Sequence, residues 1–220
     1  MFIAGFPAGS FQANCYVIGA ERGGDALVVD PGEAATERLA DVLREHDMRP
    51  VAVLLTHGHL DHMASAAQVC GEADIPAYLH DADEYMLDDP LAGLSDQLRE
   101  ALAGLDLTGL RPGTVSSLAD VTELRVAGLT VQVDHTPGHT GGSVVYRFAS
   151  DGDRPEILLT GDTLFAGSVG RTDLPGGSST QLMSSIGRHL LTRPDDAVVL
   201  PGHGPTSTIG DERRTNPFLN

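Results

Sequence analysis

Apolar and polar positions switch between two periods along this chain, and the switches mark out the elements. Residues 2–6 and 14–20 are short, mostly apolar runs and predict two paired strands. Gly23-Gly24-Asp25 reads as a turn. Ala26-Leu27-Val28-Val29-Asp30 predicts a third strand, ended by Pro31-Gly32. Over 34–47 the apolar positions Leu39, Val42 and Leu43 move to helical spacing, with charges elsewhere, which predicts an amphipathic helix. Val51-Ala52-Val53-Leu54-Leu55 is a continuous apolar run of the kind a buried strand needs. Residues 62–73 are good helix formers, and Pro76-Ala77-Tyr78-Leu79 predicts a short strand.

Residues 81–110 are acidic with spaced leucines, predicting one or two surface helices broken at Pro90, either a lid or a solvated excursion. Strands follow near 121–126, 129–134 and 143–148, and at 157–160. A helix over 179–192 and a last strand at 197–200 complete the series. The order is strand-rich and then helical, twice over. It predicts two similar β-then-α halves stacked as an α/β sandwich, within a single domain over 1–220.

Composition narrows the partners. The chain has 220 residues and no tryptophan, so its core must be mostly leucine, valine and alanine. The net charge of −17 argues against nucleic acid and against anionic membrane surfaces. There is no lysine and all fourteen basic residues are arginine, so an anion would have to be gripped by arginine, by backbone amides or by a metal. Cys15 and Cys70 form no ligand or disulfide pattern and read as buried apolar residues, which suits a reducing cytosol. With no leader-like start and no apolar run of membrane length, the expected location is the cytoplasm.

The candidate chemistry begins at Thr56-His57-Gly58-His59-Leu60-Asp61-His62. Four possible ligands, His57, His59, Asp61 and His62, fall on one strand-to-helix turn, the place where open α/β sheets put their sites. Two histidines at i and i+2 leaving a strand can grip one cation, and Asp61 and His62 can turn toward a second. Imidazole and carboxylate suit zinc, iron or manganese. Three more apolar strands end in a polar residue flanked by glycine: His139 in Thr136-Pro137-Gly138-His139, Asp162 in Thr160-Gly161-Asp162, and His203 in Pro201-Gly202-His203-Gly204. One mechanism, two cations in one cleft, accounts for all seven positions. The remaining histidines, His46, His80, His135 and His189, read as structural, and His135, near His139 in sequence, is the one to watch as a partner for it.

The run His57-x-His59-x-Asp61-His62, followed by Gly138-His139, Gly161-Asp162 and Gly202-His203, resembles the metallo-β-lactamase superfamily pattern over most of the chain. Asp162-Thr163-Leu164-Phe165-Ala166-Gly167-Ser168-Val169-Gly170-Arg171-Thr172-Asp173 is similar to hydroxyacylglutathione hydrolases (glyoxalase II) and their short bacterial relatives. So is the tail from Pro201 to Thr208, with Thr215-Asn216-Pro217-Phe218-Leu219. The resemblance implies a four-layer αββα sandwich. It implies that His57, His59 and His139 hold one metal ion, that Asp61, His62 and His203 hold a second, and that Asp162 bridges them. Two divalent ions, zinc first and iron or manganese otherwise, would provide a hydroxide for attack on the carbonyl of a small-molecule thioester, with Asp61 orienting the water or taking its proton. Arg171 is either a clamp for a substrate carboxylate or an ion-pair partner of Asp173. The glutathione-binding helical domain of glyoxalase II has no counterpart in this sequence, which leaves the carrier thiol open. The alternatives are a persulfide dioxygenase with a single iron, and a non-enzymatic metal-binding protein on the same fold. A β-lactamase fits the stretch from Leu164 to Asp173 less well.

Overall fold

The structure is a computed structural model that describes residues 1–219. The chain opens with strands β1 (Phe2–Ala8) and β2 (Ala13–Gly19), an antiparallel hairpin in which Phe2 pairs with Gly19. Strand β3 (Asp25–Val29) joins β2 antiparallel, helix α1 (Thr36–Glu45) crosses over, and β4 (Arg49–Leu54) returns parallel to β3. Helices α2 (Leu60–Met63) and α3 (Ala66–Ala73) lead to β5 (Ala77–Leu79). A 3₁₀ turn at Asp81–Asp83, helix α4 (Tyr85–Asp88) and helix α5 (Asp96–Leu102) then precede β6 (Val115–Ser117). The second half contains β7 (Glu123–Val126), β8 (Leu129–His135), β9 (Val144–Phe148) and β10 (Ile157–Gly161). The small hairpin of β11 (Leu164–Phe165) and β12 (Ser168–Val169) follows, then α6 (Ser179–Ser185), a π-helical turn at Ile186–Leu190, β13 (Val198–Pro201), β14 (Ser207–Thr208) and α7 (Ile209–Thr215).

Two six-stranded sheets result, in the orders β1-β2-β3-β4-β5-β6 and β14-β13-β10-β9-β8-β7. Successive strand residues point to opposite faces, so an apolar run is sorted by parity alone. Tyr16, Ile18, Leu27, Val29, Ala52 and Leu54 face Val131, Val133, Val144, Tyr146 and Leu159 in a core between the sheets. The alternate residues Cys15, Val17, Ala26, Val28 and Val53 pack on Leu39, Val42, Met63 and Val69 of the helices outside the first sheet. Val145, Leu158 and Val199 do the same against Leu182, Ile186, Leu190 and Ile209 outside the second. Three cores between four layers make the αββα sandwich. Each fully buried aliphatic side chain contributes roughly 1.5–3 kcal/mol.

Several boundaries differ from the sequence expectation, each for a local reason. The single helix expected over 62–73 is interrupted because Ser65 turns to the loop after β3: its N–H donates to the Pro31 carbonyl at 2.9 Å and its hydroxyl to the Gly32 carbonyl at 2.6 Å. The excursion at 81–110 is three short helical pieces, and the helix expected at 179–192 ends in the π-helical turn. Strands β6, β11, β12 and β14 are two or three residues long, too short to show a period. Helix α7 does carry a start signal, since the Thr208 hydroxyl accepts from Asp211 N–H at 3.1 Å.

The sheets are also joined by polar bonds where their strands end. Val144 N–H donates to the Thr56 carbonyl at 2.8 Å, and Asn14 N–H to the Gly202 carbonyl at 2.7 Å. The buried Tyr146 hydroxyl donates to the Leu55 carbonyl at 2.7 Å, and Tyr16 to the Pro201 carbonyl at 2.8 Å. A Tyr146→Phe substitution strands the Leu55 carbonyl and is expected to cost about 1–2 kcal/mol. Thermal unfolding should then show a midpoint lower by roughly 5 °C.

Candidate metal centre

All seven residues singled out from the sequence meet in one place. They come from the segments following the carboxyl ends of four strands: β4 supplies His57, His59, Asp61 and His62, β8 supplies His139, β10 supplies Asp162 and β13 supplies His203. Their ligand atoms form three overlapping groups: His57, His59 and His139; His57, His62 and Asp162; and Asp61, His62 and His203. Within each group the atoms lie no more than 4.8 Å apart. Asp162 stands between the outer groups, its Oδ1 3.4 Å from His62 Nε2 and its Oδ2 3.5 Å from His139 Nε2 and 3.7 Å from His203 Nε2. Gly202 leaves room for this carboxylate, because a Cβ there would lie 2.2 Å from Asp162 Oδ1 and 2.8 Å from His62 Cε1.

The spacing fits cations. Bonds of 2.0–2.2 Å to a tetrahedral ion put neighbouring ligand atoms about 3.4 Å apart. Here His62 Nε2 lies 3.2 Å from His203 Nε2, and His139 Nε2 lies 2.9 Å from His59 Nδ1. Two ring nitrogens come that close only with a proton or a cation between their lone pairs. His57 Nε2 and Asp162 Oδ1 are buried with no hydrogen-bond partner among the described residues, which is costly unless something else satisfies them. A divalent ion would satisfy both.

The surrounding residues fix which nitrogen faces inward. Asp30, at the end of β3, is 2% exposed. Its Oδ1 accepts from Thr56 N–H at 2.8 Å, and its Oδ2 from the Thr56 hydroxyl at 2.6 Å and from His62 Nδ1 at 3.0 Å. Because the Thr56 hydroxyl donates to Asp30, it is left to accept from His57 Nδ1 at 3.0 Å. His139 Nδ1 donates to the Arg171 carbonyl at 2.8 Å. In His57, His62 and His139 the Nε2 lone pair therefore points into the cluster. Asp83, fully buried, ties the two histidine loops together: it accepts from Gly58 N–H at 3.0 Å, the Thr140 hydroxyl at 2.6 Å and Gly142 N–H at 2.7 Å. Burial raises the Asp83 pKa, and those three donors oppose the rise.

The electrostatics agree. Burial, then the neighbouring rings beginning with His62, pushes His57 well below the ordinary histidine range, so it is a neutral ligand. Burial and His139 bring His59 down to about 3. Burial works against the charged form of Asp61, but His62 and His203 overcome it and hold the carboxyl well below its usual range. Burial also opposes protonation of His62. The carboxylates of Asp61, Asp162 and Asp30 outweigh it and raise the pKa to about 10. The pocket thus collects negative charge and retains whatever cation is offered, a proton included.

Two readings that the sequence left open are decided. His135 does not orient His139: its ring stacks on His80 at 4.0 Å and its Nε2 donates to the Gly141 carbonyl at 2.9 Å. The Arg171 guanidinium binds Asp173 through two bonds, at 2.8 and 2.7 Å, in a largely exposed pair, while its carbonyl holds His139. Asp30, Thr56 and Asp83 were not singled out from the sequence. Asp30 had a signal, an apolar strand ending in Asp-Pro-Gly, but Asp83 had none.

Two measurements follow. Chelation is expected to lower the thermal midpoint by about 8 °C relative to protein at a free-cation level near a hundred times Kd, and added metal should restore it. Asp30→Asn should weaken cation affinity by about 10–100-fold in competition with a chelating dye while the far-ultraviolet circular dichroism stays that of the wild type.

Residues 8–203 match the metallo-beta-lactamase superfamily as a sequence family. An uncharacterized protein of Mycobacterium tuberculosis is 48% identical over 222 residues, covering 100% of this chain and 98% of the relative. Hydroxyacylglutathione hydrolase GloC of Haemophilus influenzae is 35% identical over 216 residues, covering 97% and 96%. Among solved structures, BLEG-1 B3 metallo-beta-lactamase superposes with a TM-score of 0.82 at 34% identity over 99% of both chains. TTHA1623 in a di-iron-bound form superposes with a TM-score of 0.77 at 37% identity over 100% of both. No helix among the described residues is long and apolar enough to cross a membrane. A fold of four layers, a histidine and carboxylate cluster at the strand ends and a family match over most of the sequence lead to one assignment: this chain belongs to the metallo-β-lactamase superfamily.

Proposed function

We propose that this protein is a metal-dependent thioester hydrolase of the glyoxalase II type, cleaving an S-(2-hydroxyacyl) thiol such as S-D-lactoylglutathione, or another acyl thiol, to the free acid and thiol. The observation that carries this reading is the composition of the cleft above the cluster. Its titratable lining is His59, Asp61, His139, Asp162, Arg171 and His203, so every such group except Arg171 belongs to the seven. Two divalent cations held by His57, His59 and His139, by Asp61, His62 and His203, and by Asp162 between them would supply hydroxide at neutral pH and polarise an acyl carbonyl. Zinc suits these ligands best, with iron or manganese as alternatives.

The chain's own groups do the rest. Asp61, held ionised by His62 and His203, is a weak base and serves better to orient the attacking water than to keep its proton. The cleft offers no spare acid to protonate a leaving group. A thiolate, with a parent pKa of about 8.5, leaves without one, whereas the amine released from a β-lactam needs a proton. That difference favours the thioester over the β-lactam. The complete second group of Asp61, His62 and His203 favours a two-cation hydrolase over a dioxygenase with one iron. Cys15 and Cys70 are buried and unpaired, in keeping with our placement of the protein in a reducing cytoplasm.

Steady-state assays on S-D-lactoylglutathione and other acyl thiols should show turnover that depends on about two cations per chain. His59→Ala should reduce kcat/KM at least a hundredfold, with no oxygen uptake on persulfides and slower turnover of cephalosporins. Absence of metal-dependent hydrolysis of every acyl thiol would remove this reading.

A further inference from the structure

The cleft has a second half that the cation ligands do not use. Leu60, Leu94, Leu98, Leu102, Leu174 and Phe11 line it. Leu94, Leu98 and Leu102 recur every four residues, which puts them along one side of α5 and the turn before it. That helix is capped by the Ser95 hydroxyl, which accepts from Leu98 N–H at 3.4 Å, and it buries none of its residues. Leu98 and Leu102 are left half-exposed. Phe11, on the turn between β1 and β2, faces them across the cleft and is 46% exposed. A stripe of leucines beside a reaction centre, on a helix too short to be stable alone, is an apolar surface without a protein partner.

Charge narrows the occupant. Arg171 is the one arginine lining the cleft among the described residues, and its guanidinium is engaged by Asp173 in an exposed ion pair. The chain has no lysine and a net charge of −17. The other titratable groups of the cleft belong to the cation cluster, and desolvating the carboxylates of a glutathione carrier beside leucine would be unfavourable. We propose that this slot takes the unbranched apolar acyl chain of the thioester, so that the preferred substrate is a fatty acyl thiol with an uncharged carrier, and that Leu98, Leu102 and Phe11 set the chain length. The inference rests on the thioesterase reading. The step stays a hydrolysis: the acyl C–O bond forms from water, the C–S bond breaks, and the sulfur leaves as thiolate, taking its proton from solvent.

The test is a series of S-acetyl, S-butanoyl, S-hexanoyl and S-octanoyl N-acetylcysteamines, with S-D-lactoylglutathione for comparison, assayed on the metal-loaded protein. Each buried methylene should raise kcat/KM about fourfold until the slot is full. Leu98→Ser and Phe11→Ser should each lower the hexanoyl-to-acetyl ratio about tenfold, whereas Leu105→Ser, on a 58% exposed residue outside the cleft, should leave the ratio unchanged. The chain-length profile of the unaltered protein stands even if a variant misfolds. A flat or falling profile, or a preference for S-D-lactoylglutathione, overturns the acyl slot and leaves the thioesterase intact. No hydrolysis of any member overturns the thioesterase reading and the slot with it.

Discussion

The structure depends on the way two sheets are fastened at the ends of their strands. Sheets packed through apolar side chains could slide, since that contact has little direction. Here the amino ends of β9 and β2 bond to the segments that follow the carboxyl ends of β4 and β13: Val144 N–H to the Thr56 carbonyl, Asn14 N–H to the Gly202 carbonyl. Those bonds fix β4 against β9 and β2 against β13 at the level where the chain leaves β4 and β13. Side chains that are distant in sequence, such as His62 and His203, are therefore placed within 3.2 Å by the scaffold rather than by contacts of their own.

The same fastening makes charge the governing issue. Asp30, Asp61 and Asp162 are gathered at the sheet ends with His62 among them, and burial would expel such a group were nothing to balance it. Asp30 even adopts a left-handed backbone, at φ 48°, which costs a residue with a side chain about 1 kcal/mol or more. The strain aims its carboxylate at both Thr56 and His62. A fold that gathers three carboxylates and a strained backbone at one spot is organised for a cation there, whereas the buried Asp83 and Glu212 are each satisfied by hydrogen-bond donors.

What the sequence disclosed follows from this arrangement. Most strands of both sheets were legible from their apolar runs or alternation, β6 and β14 being too short to show either, and the seven ligand positions were legible because each follows a strand at a glycine or a tight turn. The companions were harder to see. Arg171 acts through its carbonyl, which any residue would offer, and Asp83 lies in an acidic stretch where nothing distinguishes it from Asp81 or Asp88. His135 is structural, since nearness in sequence to His139 is not nearness of side chains: as the last residue of β8 it is turned onto His80. Ser65 broke an expected helix through loop carbonyls that only the fold brings near.

Chemistry and selectivity then sit on parts of unequal firmness. The cluster is built on strand ends, buried and cross-linked by Asp30 and Asp83, where a displacement of any one group is opposed by several others. The apolar wall is built on α5, which buries nothing and can open at small cost. Substitutions on the wall lie among apolar side chains that make no hydrogen bond to the seven, so they alter what the cleft admits without removing a cation ligand. A superfamily scaffold of this kind can change what it admits by altering a short exposed helix while the reacting centre stays as it is. For this chain the exposed helix carries leucines, which set an apolar wall beside the cation ligands.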